Sequence, residues 1–310
     1  MLRSACWFIV ASALMLAGCG SSASDDKAGT SASTKPVSDA DANPKTLRIA
    51  LAPSDDTEQM LAGFEKLRVY LEKKLGIPVE VRKVTSYGAV VEGMRKNRVD
   101  VAWYGPASYA LAEKEADAEA FMISVDTKGV HTYNSYILVP ANSTAKTIQD
   151  LAGKEVAFTE ASSTSGGLVP SYLIFQATGK AAGSFVKVNY VGNHDTVVNL
   201  VKKGSVAAGC TNNITVDRML EQGKLQTSDF RILVKSDPIE GSPLAWRKSL
   251  SPDLKKKIAD AIEGSPKELG TYKIAGLGEI ASFKRATPAD YQIIRDLIAK
   301  LNVKREELLK

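Results

Sequence analysis

The strongest constraint on this chain is an alternation of two periodicities. From residue 46 onwards, short apolar runs suited to buried strands trade places with longer segments whose apolar residues return every three or four positions. Residues 46–52 read as a strand and 55–75 as a helix, with Met60, Leu61, Phe64, Leu67, Leu71 and Leu75 on one face. Gly76 closes that helix and Pro78 follows it. Residues 79–84 then predict a strand, 87–96 a helix, 99–103 a short strand and 106–116 a helix. Such repetition implies an α/β fold whose sheet is mostly parallel and covered by helices on both faces.

A second unit of the same kind opens near residues 136–140. A short helix at 148–151, a strand at 155–158 and a helix at 168–178 come first. A strand at 186–190, a helix at 197–203, a strand at 207–211 and a short helix at 215–221 follow. Residues 230–235 read as the strand that returns the chain. Segments 252–264, 266–275 and 288–310 read as mainly helical, each with proline near its first turn. The expected organisation is two lobes, each a mixed, mostly parallel sheet flanked by helices. Residues 46–135 begin the first, 136–238 form the second, and 239–310 return to the first and add C-terminal helices. Crossing segments near 136–140 and 231–239 would connect the lobes and permit hinge closure around a ligand. No internal sequence repeat is visible.

The N-terminus reads as an address. Residues 6–17 are an apolar run broken only by Ser12, the length of a signal-peptide core and too short to span a bilayer comfortably. It ends in Leu16-Ala17-Gly18-Cys19, the pattern of a bacterial lipobox. The expectation is a signal peptide over 1–18 and lipid attachment at Cys19; an ordinary secretion signal with a chance cysteine is the alternative. Residues 19–45 are poor in large apolar side chains and read as a flexible tether. The protein would then be anchored to a bacterial membrane, facing the periplasm or the exterior.

Cysteine and histidine usage narrows the chemistry. Of the three cysteines, Cys6 leaves with the signal and Cys19 becomes the anchor, so Cys210 has no partner and no intrachain disulfide is expected. His131 and His194 are the only histidines, which argues against a metal site, and no cofactor is expected. The net charge of +5 suits an anionic ligand. The basic residues are dispersed, so nucleic acid is not an expected partner.

Residues 162–167 read Ser-Ser-Thr-Ser-Gly-Gly and run into the helix expected at 168–178. Ser and Thr cap helices, glycine lets the backbone come close to a ligand, and the free N–H groups of a helix start attract anions. This turn is the expected seat of a small oxyanion. Asp55, Asp56 and Thr57 follow the first strand, where an open α/β sheet places its ligand crevice. Thr57 or the local amides could touch the anion, an acidic side chain could accept its proton, or the stretch could simply cap the helix.

Further motifs occur in a fixed order. They are Tyr87 with Val91-Glu92-Gly93-Met94-Arg95, then Asp100-Val101-Ala102-Trp103-Tyr104-Gly105-Pro106, and Ser163-Thr164-Ser165-Gly166 with Leu168-Val169-Pro170. Gly192-Asn193-His194-Asp195, Thr211-Asn212-Asn213, and Pro243 with Trp246-Arg247-Lys248 complete the set. In this order, over most of residues 46–300, the chain resembles the solute-binding proteins of ABC importers for phosphonates and phosphite, which have the type II periplasmic-binding-protein fold. The resemblance implies a two-lobed monomer, a small phosphorus oxyanion as ligand and an ABC transporter permease as partner. Tyr87 and Tyr104 would be hydroxyl donors of the first lobe. Ser163, Thr164 and Ser165 would form the helix-start cradle of the second, and His194 would donate from its side chain. Read without the resemblance, the tyrosines are half-buried packing, the Ser-Thr-Ser-Gly turn is only a cap, and the histidine is a surface or capping residue.

Two positions depart from relatives that bind an aminoalkylphosphonate. There, acidic residues hold the ammonium group; here the corresponding residues are Thr215 and Ser242. The expected ligand therefore lacks an amino group: phosphite, methylphosphonate or a similarly small phosphonate. An alignment shifted by two residues would bring in Asp217 and Glu240 and make 2-aminoethylphosphonate the alternative. A hydrolase triad of Ser163, His194 and Asp195 is disfavoured, because adjacent His and Asp rarely reach the required geometry and no Gly-x-Ser-x-Gly elbow is present. No enzyme activity is expected. A ligand-sensing protein on the same fold, reporting to a signalling receptor, stands as the alternative role. Glu113, Lys114 and Glu115 are candidate docking charges or a solvated helix face.

Overall fold

The computed structural model describes residues 39–82 and 84–308, without the side chains of 39, 40 and 57. The signal segment, Cys19 and the tether up to residue 38 lie outside the described residues. Among the described residues no helix is long and apolar enough to cross a membrane.

Two mixed sheets organise the chain. The first runs in the order Ser282–Arg285, Ala118–Val125, Pro243–Arg247, Val101–Trp103, Leu47–Leu51, Val79–Arg82. The second runs Phe230–Lys235, Ser135–Pro140, Ala208–Asn212, Glu155–Phe158, Lys187–Tyr190. Each contains a parallel trio joined by helices, and in both trios the strand that is earliest in the chain lies in the middle. Beside each trio lies one antiparallel strand: Pro243–Arg247 in the first sheet and Ser135–Pro140 in the second. The lobes are thus repeats in space although not in sequence.

Side-chain alternation explains the layers. Leu47, Ile49 and Leu51 face one side of the first sheet, packed with Phe64, Leu67 and Leu71 of the Thr57–Leu75 helix and Ile258 and Ile262 of the Pro252–Leu269 helix. Ala50 and Ala102 face the other, under Val90, Val91 and Met94 of the Tyr87–Arg95 helix and Tyr109 of the Pro106–Ala116 helix. In the second sheet Val156 and Phe158 pack with Ile174, and Ala157 with Val197, Val198 and Val201. Each buried Leu, Ile or Phe is worth roughly 1.5–3 kcal/mol.

Several elements differ from expectation. The sheets are not mostly parallel: helical crossovers yield parallel neighbours, but strands arriving from the other lobe or from a hairpin pair antiparallel. Strands 118–125 and 243–247 were hidden because both faces of their pattern carry apolar residues, and 282–285 because Phe283 is its one apolar residue. Segments 252–264 and 266–275 are not two helices. The Pro252–Leu269 helix continues through Pro266 because the Ser265 hydroxyl donates to the Ile262 carbonyl, which Pro266 cannot serve. Residues 272–280 form a hairpin instead. The strands expected to cross between lobes, 136–140 and 231–239, contribute mainly to the second sheet and pair with each other. The ladder between the sheets lies at the edges of these segments, where Thr132–Tyr133, just before the first, pairs with Ile239–Glu240, which begins at the last residue of the second.

Two sequence motifs prove to be structural. Asp100 is fully buried and accepts from Arg48 and from Arg247 Nε at 2.8 Å, tying three strands together. Glu113 pairs with Arg295 and Glu115 with Arg305, so two of the candidate docking charges hold the C-terminal helices in place.

Candidate functional site

The parallel strands of both lobes deliver their carboxyl ends to one crevice, the usual place for a ligand in an open α/β sheet. Ser54 and Asp55 follow the strand Leu47–Leu51, Tyr87 follows Val79–Arg82, and Tyr104 follows Val101–Trp103. The hydroxyl turn follows Glu155–Phe158, His194 follows Lys187–Tyr190, and Asn212 ends Ala208–Asn212.

Helix starts therefore converge, and nearly all are capped from within. Asp56 accepts from the Gln59 amide, Ser86 from Ala89, Ser163 from Gly166, Asn193 from Thr196 and Asn212 from Thr215. The exception is the Pro106–Ala116 helix, which starts at Gly105 and has no side-chain cap of its own. Thr164 of the opposite lobe supplies it: its Oγ1 accepts from the Ala107 amide at 2.8 Å.

Between these ends lies a cavity of about 30 Å³, enough for about two water-sized groups. Its polar wall comprises Ser54, Tyr87, Tyr104, Tyr133, Ser163, Thr164, Ser165, His194, Asn212 and Ser242. Leu51, Met60, Trp103, Ile214 and Leu277 are among its apolar lining. Among the described residues no Asp, Glu, Lys or Arg lines it. A larger groove of about 610 Å³ adjoins it and shares Tyr133, Ile214, Ser242 and Leu277 as walls.

The expected residues mostly gather here. Tyr87 opens its helix, its amide donates to Glu160 Oε2 of the other lobe at 3.0 Å, and its hydroxyl shares a hydrogen bond with Ser163. Tyr104 lines the cavity, but its hydroxyl sits 3.5 Å from Met94 Sδ, inside the first lobe. Residues 164–168 form a π-helical turn ahead of the Val169–Thr178 helix rather than an α-helical start. Gly166 and Gly167 are needed there for packing: a Cβ would collide with Thr159 Oγ1 and with the Glu160 carbonyl. Ser165 lies 3.5 Å from Asn212 Nδ2. Thr57 opens the Thr57–Leu75 helix, and its side chain lies outside the described residues.

His194 starts the His194–Lys202 helix, and its Nδ1 lies 3.1 Å from the hydroxyls of both Thr159 and Thr211. Burial lowers its pKa to about 3, so the ring is neutral. Asp195 does not approach the ring; it accepts from Arg218 and from the Asp56 amide. The Ser-His-Asp triad is therefore not assembled. Burial also raises Glu160 to about 7, against the pull of the Tyr87 amide. Cys210 is a buried free thiol whose pKa is raised by desolvation.

Asp55 and Asp56 divide the readings made of them. Asp56 caps its helix. Asp55 neither caps nor lines the cavity; it accepts from Thr215 Oγ1 and Arg218 across the lobes, both at 2.9 Å. Thr215 is thereby engaged with Asp55, while Ser242 stands in the cavity wall. Asp217 lies in the larger groove, and Glu240 pairs with His131 and Lys284. Sequence reasoning missed Tyr133, whose hydroxyl bonds to Thr164 and Ser165, and Ser54, whose carbonyl accepts from the His194 amide. Neither carries a local motif; only the way the strands converge brings them in.

Two such lobes around an enclosed polar cavity define a solute-binding protein of the type II periplasmic fold. A binding-protein component of an ABC phosphonate transporter from Pseudomonas aeruginosa superposes with a TM-score of 0.73 at 21% identity, over 85% of this chain and 91% of that one. PhnD1 from Prochlorococcus marinus, solved in complex with methylphosphonate, superposes with a TM-score of 0.72 at 22% identity, over 84% and 99%. The family model described as ABC transporter, phosphonate, periplasmic substrate-binding protein matches residues 49–291, and the chain belongs to that family. The phosphonates-binding periplasmic protein of Escherichia coli is 30% identical over 70% of this chain and 65% of its own length. A phosphate-import protein of Mycolicibacterium smegmatis is 31% identical over 74% of each chain.

Proposed function

We propose that this protein captures phosphite, methylphosphonate or a similarly small phosphonate between its lobes by hinge closure and presents it to an ABC transporter permease. The observation that carries this reading is the composition of the cavity wall: neutral donors and apolar side chains, with no charged side chain among the described residues. A tetrahedral anion is held by convergent hydroxyls and helix-start amides, which compensate its charge without a countercharge. The apolar lining suits a hydrogen or methyl substituent on phosphorus. An ammonium group would find no carboxylate there. Tyr87, Ser163, Thr164, Ser165 and His194 are the proposed contacts. His194 acts as the tautomer that donates from Nε2, with Nδ1 accepting from a threonine hydroxyl. Tyr104 contributes once its hydroxyl turns from Met94.

Calorimetric titration with phosphite, methylphosphonate, phosphate and 2-aminoethylphosphonate tests the reading. Tightest binding is expected for phosphite or methylphosphonate. Tightest binding to the amino compound overturns it. Attachment through Cys19 to a membrane is part of the same proposal. Cys19→Ala is expected to move the protein from the membrane fraction to the soluble fraction of lysed cells, and an unchanged distribution rules the anchor out.

A further inference from the structure

The charged groups nearest the cavity do not enter it. Arg218, on the Asn213–Glu221 helix of the second lobe, directs one Nη2 at both Asp55 Oδ1 of the first lobe, at 2.9 Å, and Asp195 Oδ1 of its own lobe, at 2.7 Å. Its Nη1 reaches Gln59 Oε1 of the first lobe at 3.4 Å. Asp195 Oδ2 accepts from the first-lobe Asp56 amide at 2.9 Å. Immediately beside this cluster the His194 amide donates to the Ser54 carbonyl at 2.9 Å, again across the lobes. Ser54 and His194 line the cavity; Asp55, Asp195 and Arg218 do not.

We propose that Arg218 is a positioning residue for ligand capture: it clamps Asp55 to Asp195 and so holds Ser54 and His194 in register around the bound anion. The inference rests on the interlobe capture proposed above. Two carboxylates brought together from opposite lobes repel unless a cation lies between them. Arg218 is that cation in the closed form: its Nη2 donates to both carboxylates, while Nη1 reaches Gln59. The cluster is not an optimised stabiliser, because Asp55 Oδ2 and Arg218 Nε are buried without a hydrogen-bond partner. Buried ion pairs of this kind fix geometry more than they add stability. A clamp that forms after the ligand has entered governs escape, so its removal appears in dissociation rather than association.

The test uses the full chain, processed by the cell and purified in detergent, as wild type, Arg218→Met and Arg218→Lys. Stopped-flow fluorescence of Trp103 in the cavity wall follows phosphite and methylphosphonate, and hydrogen exchange follows the His194 amide with each probe bound at saturation. Arg218→Met is expected to speed dissociation by roughly 10–100-fold, with association within about threefold, and to speed His194 exchange by about tenfold or more. Arg218→Lys, which keeps charge but loses the fork, falls between. Dissociation and exchange both within twofold of wild type overturn the proposal. If Arg218→Met does not fold, Arg218→Lys and Asp195→Asn decide on the same readouts. If the wild type binds neither probe, the ligand reading fails, and phosphate or 2-aminoethylphosphonate, whichever it does bind, decides the clamp on the same two readouts.

Discussion

Two buried clusters of arginine and aspartate use the same chemistry in opposite ways. Inside the first lobe, Asp100 sits between two cations: it accepts from the Arg48 amide, from Arg48 Nε and Nη2, and from Arg247 Nε, all at 2.7–2.8 Å. Between the lobes, Arg218 sits between two anions, Asp55 and Asp195, and leaves Asp55 Oδ2 unpartnered. The first cluster joins strands that never separate, so complete satisfaction carries no penalty. The second, under the proposed hinge closure, joins surfaces that part whenever ligand enters or leaves. Contacts there have to be strong enough to align the site and weak enough to break.

The largest effect is expected where that contrast is sharpest. Asp100→Ala leaves the buried Arg247 and the partly buried Arg48 without their carboxylate and is expected to destabilise the fold by about 3–5 kcal/mol. Thermal unfolding should show the same drop with and without ligand. A fall in melting temperature that ligand largely repairs would mean that the Asp100 cluster too belongs to the closure.

Next is the cap that crosses the lobes. Thr164→Val keeps the shape but leaves the Ala107 amide without an acceptor in the closed form, a cost of about 1–3 kcal/mol. Since the open lobes expose that amide to water, the loss is expected in affinity, roughly 5–150-fold from the cap and more where the Thr164 hydroxyl also holds the anion, with the ligand-free melting temperature little changed. Thr164→Ser should restore most of it. Calorimetry on the two variants checks this, and equal losses in both would place the effect in packing of the methyl group rather than in the cap.

These interlobe contacts mark the boundary of what sequence reveals. The strand–helix alternation, the hydroxyl turn and His194 were legible because their signals are local: apolar periodicity, N-cap chemistry and a motif order. The strands at 118–125, 243–247 and 282–285 lacked that signal, as did the hairpin at 272–280. Asp55 shows the limit for the site. Before a helix, an Asp-Asp pair looks like capping, and Asp56 does cap. That Asp55 instead turns inward to Arg218, 163 residues away in the chain, follows from how the two lobes meet.

Asp55 also gives the clamp a pH dependence. Burial raises its carboxyl from 3.8 to about 7, with Arg218 lowering it and Asp195 raising it. The groups facing it are Arg218 and Thr215 from one helix and Asp195 from another. Neutral His194 starts that second helix, and Asp56 adjoins on the same loop. Asp195 itself is kept below its usual value by Arg218 in spite of burial. Opening returns Asp55 to water and to an ordinary carboxylate value, so the closed form holds an extra proton between pH 3.8 and about 7. Closure is therefore favoured at the acid end of that window, weakens as pH rises to about 7, and is level above it. The ratio of wild-type to Asp55→Asn affinity is expected to fall by up to about tenfold per unit between pH 5 and 7. Titration of the ligand is common to both proteins and cancels in the ratio. A flat ratio would mean that Asp55 stays ionised in both forms. His194 acts with the opposite sign: it is held neutral in the closed form, so Asp55→Asn affinity falls as pH drops below about 6.5, while in the wild type the two effects offset each other.

The smallest effect is expected at the two acidic residues that could have served an ammonium group. Asp217 lines the larger groove, not the cavity. Glu240 Oε1 lies 2.8 Å from His131 Nδ1 and 3.2 Å from Lys284 Nζ. Neither can reach a group enclosed by Ser242, Ile214 and Leu277 without reshaping that wall. Asp217→Asn and Glu240→Gln should therefore leave phosphite and methylphosphonate affinity within about twofold, and any shift should be towards tighter binding, because removing a negative charge favours an anion. With 2-aminoethylphosphonate the same substitutions discriminate: a carboxylate that held its ammonium would show a loss of tenfold or more on removal. Such a loss would extend the ligand into the larger groove and make the uncharged cavity only the phosphorus end of a longer site.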